Sequence, residues 1–132
     1  MTEPPIKKKC PFCPPKDHEV LETHALAVAI KDSFPLTRGH SLVVPRRHVA
    51  SFFELTAEER LAIMELLDRA KAALDKEYAP DAYNIGINDG AAAGQTVMHV
   101  HVHLIPRYQG DTDDPRGGVR WIFPRKAEYW KK

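Results

Sequence analysis

Residues 99–103 read His-Val-His-Val-His. Successive side chains of a strand point to opposite faces, so His99, His101 and His103 share one face and Val100, Val102 and Leu104 the other. Steps along one face are about 6.6 Å, so the row reaches about 13 Å end to end. Three readings compete for such a row. As plain buried polar residues, each imidazole would need its own partners. As ligands to one catalytic ion, three histidines so far apart cannot converge at about 2 Å unless the strand bends. As a nucleophilic site, the central imidazole attacks phosphorus through one nitrogen while an acceptor holds the proton on the other. The segment just upstream, Gly-Ala-Ala-Ala-Gly-Gln-Thr at 90–96, favours the third. Gly94 lets backbone come close to an anion, turn N–H groups cradle phosphate oxygens, and Gln95 and Thr96 add neutral donors.

A second group of chemistry-bearing residues is Cys10-Pro11-Phe12-Cys13, which holds both cysteines of the chain. Charge precedes it and Pro14 and Pro15 follow, which is not the strand-then-helix frame of a redox pair. Half of a zinc site, completed by two distant histidines, fits better, with two uninvolved thiols as the alternative.

These groups need elements to hold them. The stretch 18–32 reads as two short strands, the second over 26–30, and 41–44 as a third stopped by Pro45. Thr56 and Glu59 have the Thr-x-x-Glu spacing of a capping box. The positions Leu61, Met64, Leu67, Lys71 and Leu74, widened by Ile63, Leu66 and Ala70, give a long helix an apolar stripe ending before Pro80. A fourth strand follows around 83–89, and a fifth over 97–105 is ended by Pro106. This order predicts an α+β fold, an antiparallel sheet on one main helix, with the last two strands paired. Its valine face would pack on the helix.

The chain has 132 residues and net charge +1, the size of one domain and no electrostatic footprint for nucleic acid. No apolar run approaches the ~20 residues of a membrane helix, and the first residues lack the apolar stretch of a secretory leader. A cytoplasmic protein is the expectation. Residues 1–9, with Lys7, Lys8 and Lys9, read as a flexible arm. Residues 107–132 read as a Gly/Pro-rich tail.

The run Gly-Gln-Thr-Val-Met-His-Val-His-Val-His-Leu-Ile-Pro-Arg, residues 94–107, resembles the signature of the histidine-triad (HIT) family, His-φ-His-φ-His-φ-φ with φ apolar. All seven positions match, from His99 to Ile105. The similarity extends over 27–48 and 84–97, and covers roughly residues 10–107 of one domain spanning 1–132. The resemblance implies a HIT-like sheet of roughly five antiparallel strands with one long and one short helix. It implies an enzyme, a nucleotide hydrolase or nucleotidyl transferase that works through a nucleotidyl-histidine. On this chain the nucleophile would be His101. His103 would lie near the α-phosphate, and Asn88, Gly94, Gln95 and Thr96 would contact phosphate. Asp32 would bind ribose hydroxyls, and His40 matches a histidine that many members carry after Gly.

Members with an N-terminal Cys-x-x-Cys close a zinc site with two histidines, which here are His48 and His99. The implied set is Cys10, Cys13, His48 and His99, structural rather than catalytic, with His18, His24 and His40 as rival ligands. The Pro-Arg after the triad resembles the dinucleoside-polyphosphate hydrolases, whose substrate Mg²⁺ accompanies. Asn88 and the cysteine pair lean toward the phosphoramidases, and a non-catalytic nucleotide sensor is a third reading. In the polyphosphate reading Arg116 and Arg120 would reach distal phosphates; the alternative is that they are solvated loop arginines. Family members dimerise through the long helix and the sheet edge, so a homodimer is expected. Trp121, Phe123, Tyr129 and Trp130 would complete that interface or cover the chain's own core.

Overall fold

The computed structural model describes residues 10–131. The arm expected over residues 1–9 lies outside them. Helix α1, Ala57–Tyr78, starts as its capping box requires. The Glu59 N–H donates to Thr56 Oγ1 at 3.0 Å, and the Thr56 N–H donates to Glu59 Oε1 at 2.9 Å. Ala79 closes it in the left-handed conformation at φ 47°, and Pro80 cannot continue it.

Five strands pair antiparallel in the order β1-β2-β3-β5-β4. They are β1 Val20–Thr23, β2 Ala27–Lys31, β3 Ser41–Pro45, β4 Ala82–Ile87 and β5 Val102–Arg107. One short helix, α2, covers Pro124–Ala127. On one face of the sheet Ala27, Ala29, Val43, Val100, Val102 and Leu104 pack against Ile63, Leu66, Ala70 and Leu74 of α1. The valine side of the triad therefore buries against the helix, and the histidine side is turned away from it. On that other face Val28, Ile30, Leu42 and Val44 form a second apolar layer, capped by Phe12.

Two features depart from the sequence reading. The helix stripe is rotated: Leu61 and Met64 are 61% and 62% exposed, while Glu59 and Ala62 are buried. The period was readable, but its phase depends on which side the sheet approaches. Strand β5 also begins at Val102 and runs through Pro106. Residues 99–101 lie alongside loop 49 instead, where the Val100 N–H donates to the Val49 carbonyl at 2.8 Å. Pro106 is tolerated because its carbonyl, and hence its missing N–H, faces the β3 side, where β3 has ended. There Thr37 Oγ1 donates to that carbonyl at 2.6 Å.

Glu59 has a second task. Arg47 Nε and Nη2 reach its two carboxylate oxygens at 3.1 and 2.8 Å, tying the start of α1 to the segment that carries His48. These bonds hold the Glu59 carboxyl down to about 2. A depressed carboxylate stabilises the fold above its unfolded value near ~4.3, and that stabilisation is lost as pH falls toward 2. Glu59→Ala is expected to cost about 1–2 kcal/mol at neutral pH. In acid titrations followed by circular dichroism, the wild type should lose stability more steeply than Glu59→Gln between about pH 4.5 and 2.

Candidate active site and metal centre

His101 and His103 lie side by side on the sheet face turned away from α1, their ring centroids 5.2 Å apart. His99, first of the row, is fully buried. Its Nε2–H donates to the Pro45 carbonyl at 2.7 Å, which leaves the Nδ1 lone pair free. Nδ1 points at three other donors. It lies 3.5 Å from Cys10 Sγ, 3.3 Å from Cys13 Sγ and 3.1 Å from His48 Nδ1. Cys13 Sγ is 3.3 Å from His48 Nδ1, and all four ligand atoms lie within 4.8 Å of one another. Tetrahedral zinc with ordinary bond lengths has N···N edges of about 3.3 Å and S···N edges of about 3.6 Å. The donor set and its spacing fit that ion. His18 sits 4.0 Å from Glu19 and His24 3.2 Å from Glu65, so neither rival joins the set. Burial and the neighbouring Cys10 push the Cys13 thiol up to about 11. Burial likewise lowers His99.

Phe12, held between the two cysteines, lays its ring 5.6 Å from His99 and 5.5 Å from His101, centroid to centroid. His101 is 9% exposed. Its Nδ1–H donates to the His99 carbonyl at 2.8 Å, so the neutral ring carries its free lone pair on Nε2. The residue that closes the metal set thus also orients the central imidazole.

His103 Nδ1 lies 3.0 Å from His40 Nε2, and Asp32 Oδ2 lies 3.3 Å from the same His40 nitrogen. Burial is the first cause lowering both histidines, which keeps them neutral. His103 and Asn88 line an open cleft of about 920 Å³, with Ile85, Ile105 and Trp121 on its walls.

The loop residues divide. Thr96 and Gly94 are exposed, and Gly94 has φ 96°, a conformation that favours glycine. Gln95 is buried and its amide is spent inside the loop. It accepts from the Gly90 N–H at 2.8 Å and donates to the carbonyls of Ala50 and Val97 at 2.8 and 3.1 Å. The side chain expected to offer a donor to phosphate shapes the loop instead. Arg116 and Arg120 are likewise engaged within the tail. Arg116 pairs with Asp114 at 3.0 Å, and Arg120 donates to the Lys126 carbonyl at 2.6 Å. Trp121, Phe123 and Tyr129 stay exposed, whereas Trp130 is half-buried within the tail, its ring against Tyr129 and Arg116.

Among the described residues no helix is long and apolar enough to cross a membrane. A family model described as "HIT domain" matches residues 15–110. A Schizosaccharomyces pombe protein named bis(5'-nucleosyl)-tetraphosphatase [asymmetrical] is 38% identical over 97 residues, 74% of this chain and 53% of that protein. Across it and two further microbial HIT-like proteins the chain spans 53% to 64% of their lengths. A crystal structure of a HIT family protein from Bacillus anthracis superposes with a TM-score of 0.72 at 34% identity, covering 79% of this chain and 77% of that one. A zinc-bound histidine triad family protein from Mycobacterium smegmatis gives 0.66 at 34% identity, covering 72% and 69%.

Proposed function

The chain belongs to the histidine-triad (HIT) family, and on that footing we propose that it is a hydrolase or nucleotidyl transferase of dinucleoside polyphosphates, cutting at the α-phosphate. The observation that carries this reading is the single 2.8 Å bond from His101 Nδ1–H to the His99 carbonyl. In the neutral ring it fixes the tautomer whose lone pair is on Nε2. Asp32 takes the ribose, and Asn88, Gly94 and Thr96 take the phosphates, with Gln95 holding the loop in shape. His101 Nε2 attacks the α-phosphorus, a P–N bond forms, and the P–O bond to the outgoing polyphosphate breaks. Water then attacks the same phosphorus. The P–N bond breaks, AMP leaves and the lone pair returns to Nε2. Thr96 and loop amides meet the charge that develops on the oxygens. Mg²⁺ accompanies the polyphosphate, and the two unbridged thiols suit a reducing cytoplasm.

The Cys2His2 set would hold zinc as a closed site with no open position for substrate, so its work is to bind the N-terminal segment to residues 48 and 99. The active unit in this reading is a homodimer. Strand β4 forms one edge of the sheet with Ile85 and Ile87 exposed, and Leu61, Met64, Ile122 and Phe123 add further exposed apolar surface. Sedimentation at micromolar concentration is expected to give two copies; a monomer there would overturn this part.

Turnover of a dinucleoside tetraphosphate in H₂¹⁸O tests the activity. One ¹⁸O should enter AMP and none the nucleoside triphosphate, because water resolves the histidine-bound half. Label in the triphosphate would contradict the α-phosphate assignment. Turnover of a nucleoside phosphoramidate alone would move the substrate class, and AMP binding without turnover of either would make the protein a sensor.

A further inference from the structure

The trio Asp32, His40 and His103 has the composition and spacing of a two-histidine, one-carboxylate metal site. The ligand atoms lie 3.0, 3.3 and 4.0 Å apart. One hydrogen bond decides against that reading. The Leu36 N–H donates to His40 Nδ1 at 3.0 Å. A neutral imidazole that accepts at Nδ1 carries its proton on Nε2 and has no lone pair there to give a metal. His40 is 3% exposed, and burial opposes the doubly protonated form. Gly39, at φ 86°, brings this turn against α1, where an added Cβ would meet Leu74 and Tyr78 at 3.0 Å. The ring has little room to turn over.

We infer that His40 is a positioning residue which, by placing an N–H between Asp32 and His103, sets His103 as the tautomer that donates from Nε2. The sequence of bonds is short. Leu36 N–H occupies His40 Nδ1, and His40 Nε2–H donates to His103 Nδ1 at 3.0 Å. His103 Nδ1 is then an acceptor, so its proton is on Nε2. His103 lines the cleft, and its ring lies 5.2 Å from that of His101. An N–H aimed there donates to an oxygen of the group under attack. Without His40 the balance reverses. The Asp32 carboxylate, 4.0 Å from His103 Nδ1, can only accept, and would draw the proton to Nδ1. His103 would then present a lone pair to an anionic substrate, which repels it.

This extends the hydrolase reading to one more residue, but the first half of its test does not depend on turnover. Ring ¹⁵N shifts of His103 are recorded at neutral pH in the substrate-free protein. The wild type should show a protonated Nε2 and an unprotonated Nδ1. In His40→Ala the proton should move to Nδ1, and adding Asp32→Asn should remove most of that shift. His40→Gln keeps an N–H near the Nε2 position and should restore the wild-type pattern. In the second half, His40→Ala should lower kcat by about 10²-fold or more with KM changed far less, since a wrongly held proton costs chemistry more than binding. His40→Gln should recover most of it. A wild-type His103 protonated on Nδ1 overturns the inference without any variant. So does an unchanged tautomer in a His40→Ala protein whose amide spectrum is otherwise intact. The predicted tautomers in a protein that turns over no nucleotide would sink the hydrolase reading and leave His40's role standing.

Discussion

His101→Asn is expected to abolish dinucleoside polyphosphate turnover, by more than about 10⁴-fold in kcat, with AMP affinity within a few-fold of wild type. The physical ground is that the ring contributes one atom nothing else nearby can replace. Nε2 carries the lone pair because Nδ1–H is held by the His99 carbonyl at 2.8 Å. Asparagine loses the nucleophile and the ring that Phe12 packs on, 5.5 Å away, but keeps an N–H for that carbonyl, so the loop persists. Alanine loses that bond as well and leaves the larger cavity beside Phe12, adding a packing cost to the chemical one. Circular dichroism and AMP titration separate the two effects. Retained activity in a folded His101→Asn protein would mean that another group attacks phosphorus.

Removing zinc is expected to lower Tm by more than about 10 °C, the effect of a ligand held far above its Kd. The site joins Cys10 and Cys13 to His48 and to His99, positions 86 to 89 residues apart in the chain for the cysteine–triad contacts. His48 Nδ1 and His99 Nδ1 lie 3.1 Å apart, so the ion would hold these two segments together through both. The Cys13 thiol, pushed up to about 11, is protonated at neutral pH. Loading must displace that proton, so affinity should fall as pH drops and protons should be released on binding. Calorimetry in buffers of different ionisation enthalpy reads the protons, and metal analysis with thermal melts of wild type and Cys13→Ser reads the stabilisation. A chelated protein that melts with the loaded one would contradict a structural role.

Much of this was legible in the chain. Thr56 and Glu59 announce their reciprocal cap by spacing alone, and the alternation of His with Val and Leu across 99–104 separates helix-facing from site-facing residues. The resemblance to the family named Cys10, Cys13, His48 and His99 as one set, which folding does bring together. Three things were hidden. The phase of the α1 stripe depends on where the sheet lies, so Leu61 and Met64 read as core and are exposed. Gln95 looks like a donor for a ligand because sequence cannot show the carbonyls of Ala50 and Val97 waiting for its amide. The Asp32–His40–His103 cluster depends on β3–β5 pairing, which sets Leu42 opposite His103 across 61 positions of chain. No local pattern carries that register. The resemblance marked Asp32, His40 and His103 one by one, each without its partners.

The most direct test of covalent catalysis at His101 is native mass spectrometry of the intact protein, sprayed shortly after mixing with a dinucleoside tetraphosphate. The expected result is one adenylyl group on the wild type, none on His101→Asn, and one zinc per chain in both. A wild type that turns over substrate yet never carries the adduct, or an equal adduct on His101→Asn, would contradict covalent catalysis at His101.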